Sequence, residues 1–271
     1  YSEARPQDKT GLTVIMNAKG GSGASLVSAN LAYAMKHDLD LHVALVDMDI
    51  QFGNLGLYLD LVPERGLLDA LEVADELDKV ALQAYMMKHH SGVEVMATTH
   101  NQVALPGEVD AGRLNRLLDT LLDAYDHVVI DLPRQIDLLT TTVLERATHV
   151  VLCMQQNLTH VKDACRLRSI LQEELGISDR RMILAINRYD ARNAVTLADI
   201  HKNLAGPAQV IIPNDYKRVS ENVNLGIPLY EQARGAPISK AINNLMQEIC
   251  GHQSLPKQGL LTRVLGSLQS A

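Results

Sequence analysis

The segment from Lys19 to Leu26, KGGSGASL, holds three glycines, two hydroxyl residues and a lysine within eight positions. Gly20, Gly21 and Gly23 let a backbone curl until several N–H groups face one anion, and a helix starting near Ala24 would aim its positive end at the same point. The hydroxyl of Ser25 stands where a loop of this kind holds Mg²⁺. The chemistry this spacing supports is phosphate binding, with Lys19, Gly20, Gly21, Ser22, Gly23, Ala24, Ser25 and Leu26 as the candidate contacts. Two positions depart from the general pattern GxxxxGK[ST]: Ala18 replaces its first glycine and Ala24 replaces its phosphate-gripping lysine.

Carboxylates recur at the ends of apolar runs. Asp131 closes HVVID, a position from which an acid can hold a water of the Mg²⁺ shell. Asp47 and Asp49 follow LHVALV, Asn187 and Arg188 follow RMILAI, and Pro213, Asn214 and Asp215 follow AQVII. Any one of these is an ordinary strand ending, so meaning comes from the set. Asn187 with Asp190 also echoes the NKxD element by which GTPases read guanine.

The elements that must position these residues are legible from period. LTVIMNA, LHVALVD, GVEVMAT, HVVIDLP, HVVLCM, RMILAIN and AQVIIP are short apolar runs bounded by polar residues or proline, which reads as strands. SLVSANLAYAMKH, GLLDALEVAD, AGRLNRLLDTLLDAY, THVKDACRLRSILQEEL and PISKAINNLMQEIC carry apolar stripes near period 3.6. Alternation of the two implies an α/β fold, a mostly parallel, doubly wound sheet with helices on both faces and ligands at the carboxyl ends of its strands.

Composition narrows the function. A hydrophobic share of 46% over 271 residues suits one large domain, and the core must be aliphatic because Trp is absent and Phe occurs once. That scarcity argues against stacking platforms for single-stranded nucleic acid, and a net charge of -7 argues against a surface given to DNA phosphates. Cys153, Cys165 and Cys250 lack metal-ligand spacing and read as free thiols of a reducing cytoplasm. The ten histidines are dispersed, and the His89–His90 pair reads as an exposed helix end rather than a metal site. Residues 1–10 read as a linker remnant, 11–250 as a nucleotide-binding domain and 251–271 as an amphipathic appendage.

Taken with these motifs, the loop KGGSGAS is similar to KGGxGK[ST], the deviant Walker A motif of the ParA/MinD family of ATPases. The resemblance implies a P-loop NTPase fold, ATP and Mg²⁺ as cofactors, a homodimer formed across the nucleotide, and Lys19 reaching the partner's nucleotide. VALVDMDIQFGNLGLYLDL resembles the MinD-type segment, which would make Asp49 the residue that orients the attacking water, place Asp47 near Mg²⁺ with Ser25 and Asp131, and put Asn54 at the nucleotide. By the same likeness Asn187 and Arg188 form the base-recognition corner and Pro213 to Asp215 pass over adenine, which is favoured over guanine. Within the family, the lysine-less loop together with RGLLDAL most resembles the TadZ/CpaE branch, which localises Flp/Tad pilus assembly at the cell pole and carries an upstream receiver-like domain.

The resemblance implies an ATP-binding cytoplasmic protein, at the cell pole or the inner face of the membrane, with pilus or polar proteins as partners. It implies at most a slow ATPase, since Ala24 removes the lysine. Two other readings stand beside it: a ParA-type DNA-partition ATPase using Lys162, Arg166, Arg168, Lys217 and Arg218, and a scaffold that needs no nucleotide. In GLLTRVLGSLQ, Leu260, Leu261, Val264, Leu265 and Leu268 share one helical side. That face fits either a membrane surface, as in MinD, or packing on protein. Lys257 and Arg263 give little attraction to anionic lipid, so packing is favoured.

Overall fold

The computed structural model describes residues 10–99, 104–105 and 107–251. The linker reading for residues 1–9 and the amphipathic reading for 252–271 lie outside the described residues. Eight strands form one sheet: β1 (Gly11–Asn17), β2 (Val43–Asp47), β3 (Met87–Lys88), β4 (Glu94–Met96), β5 (His127–Leu132), β6 (His149–Gln155), β7 (Met182–Tyr189) and β8 (Ala208–Pro213). The helices are α1 (Ala24–Leu39), α2 (Leu67–Glu72), α3 (Lys79–Leu82), α4 (Ala111–Ala124), α5 (Leu138–Arg146), α6 (Leu158–Glu173), α7 (Leu197–Asn203), α8 (Tyr216–Leu225), α9 (Leu229–Gln232) and α10 (Pro237–Cys250).

Strand order is β3-β4-β2-β5-β1-β6-β7-β8, and every pairing is parallel except β3 with β4. The alternation along β1 shows why both faces must be covered. Leu12, Val14 and Met16 join the core beneath α2, α4, α5, α6 and α7, while Ile15 joins the core beneath α1, α9 and α10. All are fully buried. From β1 the chain first winds toward β2 and later, after β5, toward β6, so the carboxyl end of β1 lies where the winding reverses. Ligand crevices of open α/β sheets form at such points.

All seven expected strands are present, and the phosphate-loop helix begins at Ala24 as expected. The His89–His90 pair is corrected. It lies in the tight connection between β3 and β4, with His89 buried, because the helical pattern upstream ends in α3 and a short 3₁₀ turn at Gln83–Tyr85. No helix among the described residues is long and apolar enough to cross a membrane.

At the start of β5, His127 is buried with Nε2 2.9 Å from Thr13 Oγ1. Gly11 lies so close that a Cβ there would sit 2.3 Å from the ring. Burial, and then the neighbouring His149, push the His127 pKa down to about 4. A histidine whose folded pKa is depressed stabilises the fold above its unfolded value near 6.5, and that contribution is lost as pH falls toward 4. Urea unfolding at pH 7 and pH 4.5 should show His127→Gln losing less stability on acidification than the wild type, by on the order of 2 kcal/mol. Equal losses would contradict the assignment.

Candidate functional site

Between Asn17 and Ala24 the chain makes the turn that the glycines foretold. Gly21 and Gly23 have φ of 79° and 100°, and a Cβ on Gly23 would lie 2.4 Å from Asn187 Nδ2. Gly23 is therefore required both by conformation and by space. The loop is held by its carbonyls: Ser22 Oγ donates to Lys19 O (2.6 Å), Gln155 Nε2 to Gly21 O (2.7 Å) and Asn187 Nδ2 to Ser22 O (2.8 Å). Since N–H and C=O point oppositely across a trans peptide, the amides of Gly20 and Gly23 point away from these anchors.

Helix α1 continues the arrangement. Its N-cap is Gly23, without a side-chain cap, and its first intrahelical bond is Val27 N–H to Gly23 O, so the amides of Ser25 and Leu26 precede the ladder. Such an end favours an anion. Ala24 itself is fully buried, and its amide donates to Asn17 Oδ1 at 3.0 Å. Asn17 was missed in the sequence, although a polar residue ending a strand just before a glycine turn is a visible signal. Lys19 Nζ lies 3.3 Å from Asp163 Oδ2 on α6, and Arg134 Nη2 is 3.4 Å from the same oxygen. Within one chain, then, the early lysine rests on its own acid.

Asp47 and Asp131 are register neighbours on β2 and β5. Burial raises the Asp131 pKa to about 7; hydrogen bonds from Ser25 and Ser28 oppose the rise, while Asp47 and Asp49 add to it. Burial likewise raises Asp47 to about 6 against the opposing amides of Leu55 and Asp49. Those amides meet Asp47 Oδ2 and Oδ1 at 2.9 and 3.1 Å, so Asp47 also fixes the 3₁₀ turn Leu55–Leu59. Asp49 Oδ1 accepts the amides of Phe52 (3.0 Å) and Gln51 (3.3 Å), which folds its own loop. Asn54 is exposed and donates to Phe52 O at 2.7 Å, and it does not line the cleft beside the phosphate loop.

A hydroxyl on a carboxylate whose neighbours are further acids is a hard oxygen donor set short of positive charge, which fits Mg²⁺. Ser25, Asp131 and Asp47 are the residues that would hold it, directly or through water.

That cleft has a volume of about 250 Å³. Seven residues named from the sequence line it: Gly23, Leu26, Asn187, Arg188, Pro213, Asn214 and Asp215. Arg188 has φ 53°, a left-handed conformation uncommon outside glycine, at a register break between β7 and β8. Asn187 accepts the Arg188 amide through Oδ1 while its Nδ2 holds the phosphate loop, so one side chain joins loop and cleft. Tyr58 on the 3₁₀ turn and Tyr216 and Val219 on α8 add to the walls. Tyr216 and Val219 were not foreseen, because α8 is too polar to show a stripe. Asp190, the acid of the guanine-reading alternative, is not among the lining residues and pairs with Arg192 at 3.0 Å.

The chain is similar to known proteins in sequence and in fold. The family model AAA_31, described as an AAA domain, matches residues 11–173. The septum site-determining protein MinD of Thermotoga maritima is 27% identical, the match covering 88% of this chain and 87% of that protein. The crystal structure of a ParA family ATPase from Chlorobium tepidum is 25% identical with a TM-score of 0.78, covering 88% of this chain and 98% of the other. MinD of Pyrococcus horikoshii, solved in complex with Mg-ADP, shares the fold at a TM-score of 0.72 and 21% identity, covering 89% of this chain and 96% of its own.

The raised Asp131 pKa has a consequence for stability. A carboxyl whose folded pKa exceeds its unfolded value stabilises the fold below pH 4, and that contribution is lost as pH rises through about 7. In metal-free buffer at pH 8, Asp131→Asn should therefore be more stable than the wild type by on the order of 2 kcal/mol, and the gain should shrink at pH 5. A destabilised variant at pH 8 would show that the carboxylate is satisfied without a cation.

Proposed function

The chain belongs to the AAA_31 family and is a ParA/MinD-type ATPase domain, and from that premise we propose that it binds ATP with Mg²⁺, dimerises across the nucleotide and hydrolyses slowly or not at all. We further propose that it is of the TadZ/CpaE type and positions Flp/Tad pilus assembly machinery at the cell pole. The observation that carries the nucleotide reading is that Gly23 belongs both to the phosphate loop and to the wall of the base cleft, with Asn187 tying the two together.

In this reading the amides of Gly20, Gly23, Ser25 and Leu26 receive phosphate oxygens, and the cleft between Arg188 and Pro213–Asp215 receives adenine. Mg²⁺, when bound, would supply positive charge against the phosphates. Ser25 and Asp131 orient its shell, and Asp47 keeps the following loop in place. Asp49 is assigned the positioning of water, which requires its carboxylate to leave the amides of Gln51 and Phe52 in the assembled state.

Dimerisation is supported by the edge on which the site lies. The loops after β2, β5 and β6 all leave the sheet at its carboxyl edge, and there Phe52, Leu138 and Leu158 are 78%, 69% and 73% exposed. Three large apolar side chains beside an anion site suit a second copy of the chain. Lys19 would exchange Asp163 for the partner's triphosphate, a competition that makes assembly depend on nucleotide. The DNA-partition reading gains nothing here, since Arg168 is bidentate to Asp179 and Arg218 pairs with Asp215.

Loss of the Walker A lysine removes a charge-assisted bond worth about 1.5 to 3 kcal/mol, which weakens ATP binding by roughly one to two powers of ten. Turnover suffers more, because a donor that follows developing charge is worth roughly 10²-fold to 10³-fold. Calorimetry with ATP and Mg²⁺ should show binding, and sedimentation should show an ATP-dependent dimer that Lys19→Ala abolishes. Absence of binding, or a dimer indifferent to nucleotide and to Lys19, would overturn the reading. Ala24→Lys, once shown to melt like the wild type, should raise turnover at least roughly tenfold; unchanged turnover would place the defect elsewhere than position 24. The pilus assignment is tested in cells, where a fluorescent fusion should form polar foci that Lys19→Ala disperses, and uniform fluorescence of the wild type would contradict it.

A further inference from the structure

At the opposite edge of the sheet, His89, His90 and Glu231 bring two imidazoles and a carboxylate together, with one ligand atom from each lying within 4.8 Å of the others. They come from separate elements, the connection between β3 and β4 and the short helix α9. The connection is held tightly: His89 N–H donates to Val93 O (2.9 Å), Gly92 N–H to His89 O (2.8 Å), and Gly92 adopts φ 89°. His90 Nε2 lies 3.0 Å from both carboxylate oxygens of Glu231. Ligands of a tetrahedral zinc ion stand roughly 3.3 Å apart, so this pair already has the spacing of two ligands sharing an ion.

Outer contacts orient the donors. His89 Nδ1 accepts the Ser91 N–H at 3.3 Å and lies 2.7 Å from Ser91 Oγ, and these two contacts fix the orientation of the ring. Tyr33, on α1, lies beside Glu231. The ligating histidine is thus steadied by a second group, as in built metal sites.

We propose that His89, His90 and Glu231 bind a divalent transition ion of the Zn²⁺ class, with its fourth position open to water. Two imidazoles and one carboxylate favour zinc over Mg²⁺ or Ca²⁺, which take oxygen ligands. The ion fastens the sheet's edge hairpin to α9, which is itself anchored to α1 by the Tyr230 amide on Asn30 Oδ1 at 3.0 Å. The site is separate from the nucleotide cleft, because the β3–β4 connection precedes β4 and so lies at the amino edge of the sheet.

The test is titration of the full chain with Zn²⁺ by calorimetry, in excess Mg²⁺, with Co²⁺ absorption as a second probe of tetrahedral coordination. One ion per chain is expected. His90→Ala and Glu231→Gln should each weaken binding by roughly 100-fold or more, and Ser91→Ala by roughly tenfold. The His90 side chain is 64% exposed, so the His90→Ala fold should melt as the wild type does without metal, and it should lose the rise in melting temperature that Zn²⁺ gives the wild type. No stoichiometric binding, or binding that His90→Ala and Glu231→Gln leave intact, overturns the proposal.

Discussion

The proposed nucleotide site depends on one constraint: with a methyl group at position 24, phosphate would be held chiefly by peptide N–H groups. Amides serve as an anion site only when their conformation is fixed in advance, because a loop that must be ordered on binding spends its interaction energy on its own entropy. The fixing comes from side chains that hydrogen-bond the loop's peptides. Gln155 at the end of β6 and Asn187 on β7 grip the carbonyls of Gly21 and Ser22, and Asn17 at the end of β1 grips the amide of Ala24. Three adjacent strands of the sheet thereby set the shape of one loop, and the parallel order β1-β6-β7 is what brings their ends together.

Electrostatics around that loop oppose one another in a way that a bound cation would relieve. The buried acids Asp47 and Asp131 lie beside a helix end that attracts anions, and their raised pKa values report the strain of holding negative charge there. A triphosphate alone would worsen that strain, whereas a divalent cation between the two relieves both. Lys19 is spared this conflict while it rests on Asp163, and its release requires a stronger anion than a partly exposed carboxylate. In the proposed function, nucleotide, metal and second subunit would be linked by charge balance.

Much of this was legible in the sequence, for reasons that can be named. Strands β1, β2, β5, β6 and β7 are continuous apolar runs because both sheet faces are covered, and a glycine turn after the first of them has few alternative uses. What stayed hidden was either too short or too distant. Strand β3 has two residues, α5 carries Thr140, Thr141 and Thr142 in a run that blurs its period, and α8 is mostly polar. The grips of Gln155 and Asn187 on the loop span 134 and 165 residues of chain, and no local pattern reports them. The pair His89–His90 does not end a helix, because after α3 and a 3₁₀ turn the chain there enters an edge hairpin. Asn54, named by resemblance, is turned toward its own loop.

The central claim, that peptide amides hold the phosphates, is tested most directly by amide-resolved NMR of the ¹⁵N-labelled chain as ATP and Mg²⁺ are added. The largest shifts should fall on Gly20, Gly23, Ser25 and Leu26, with smaller ones at Asn187 and Arg188. Binding that leaves these four amides unmoved, or that moves only residues outside the loop and cleft, would contradict it.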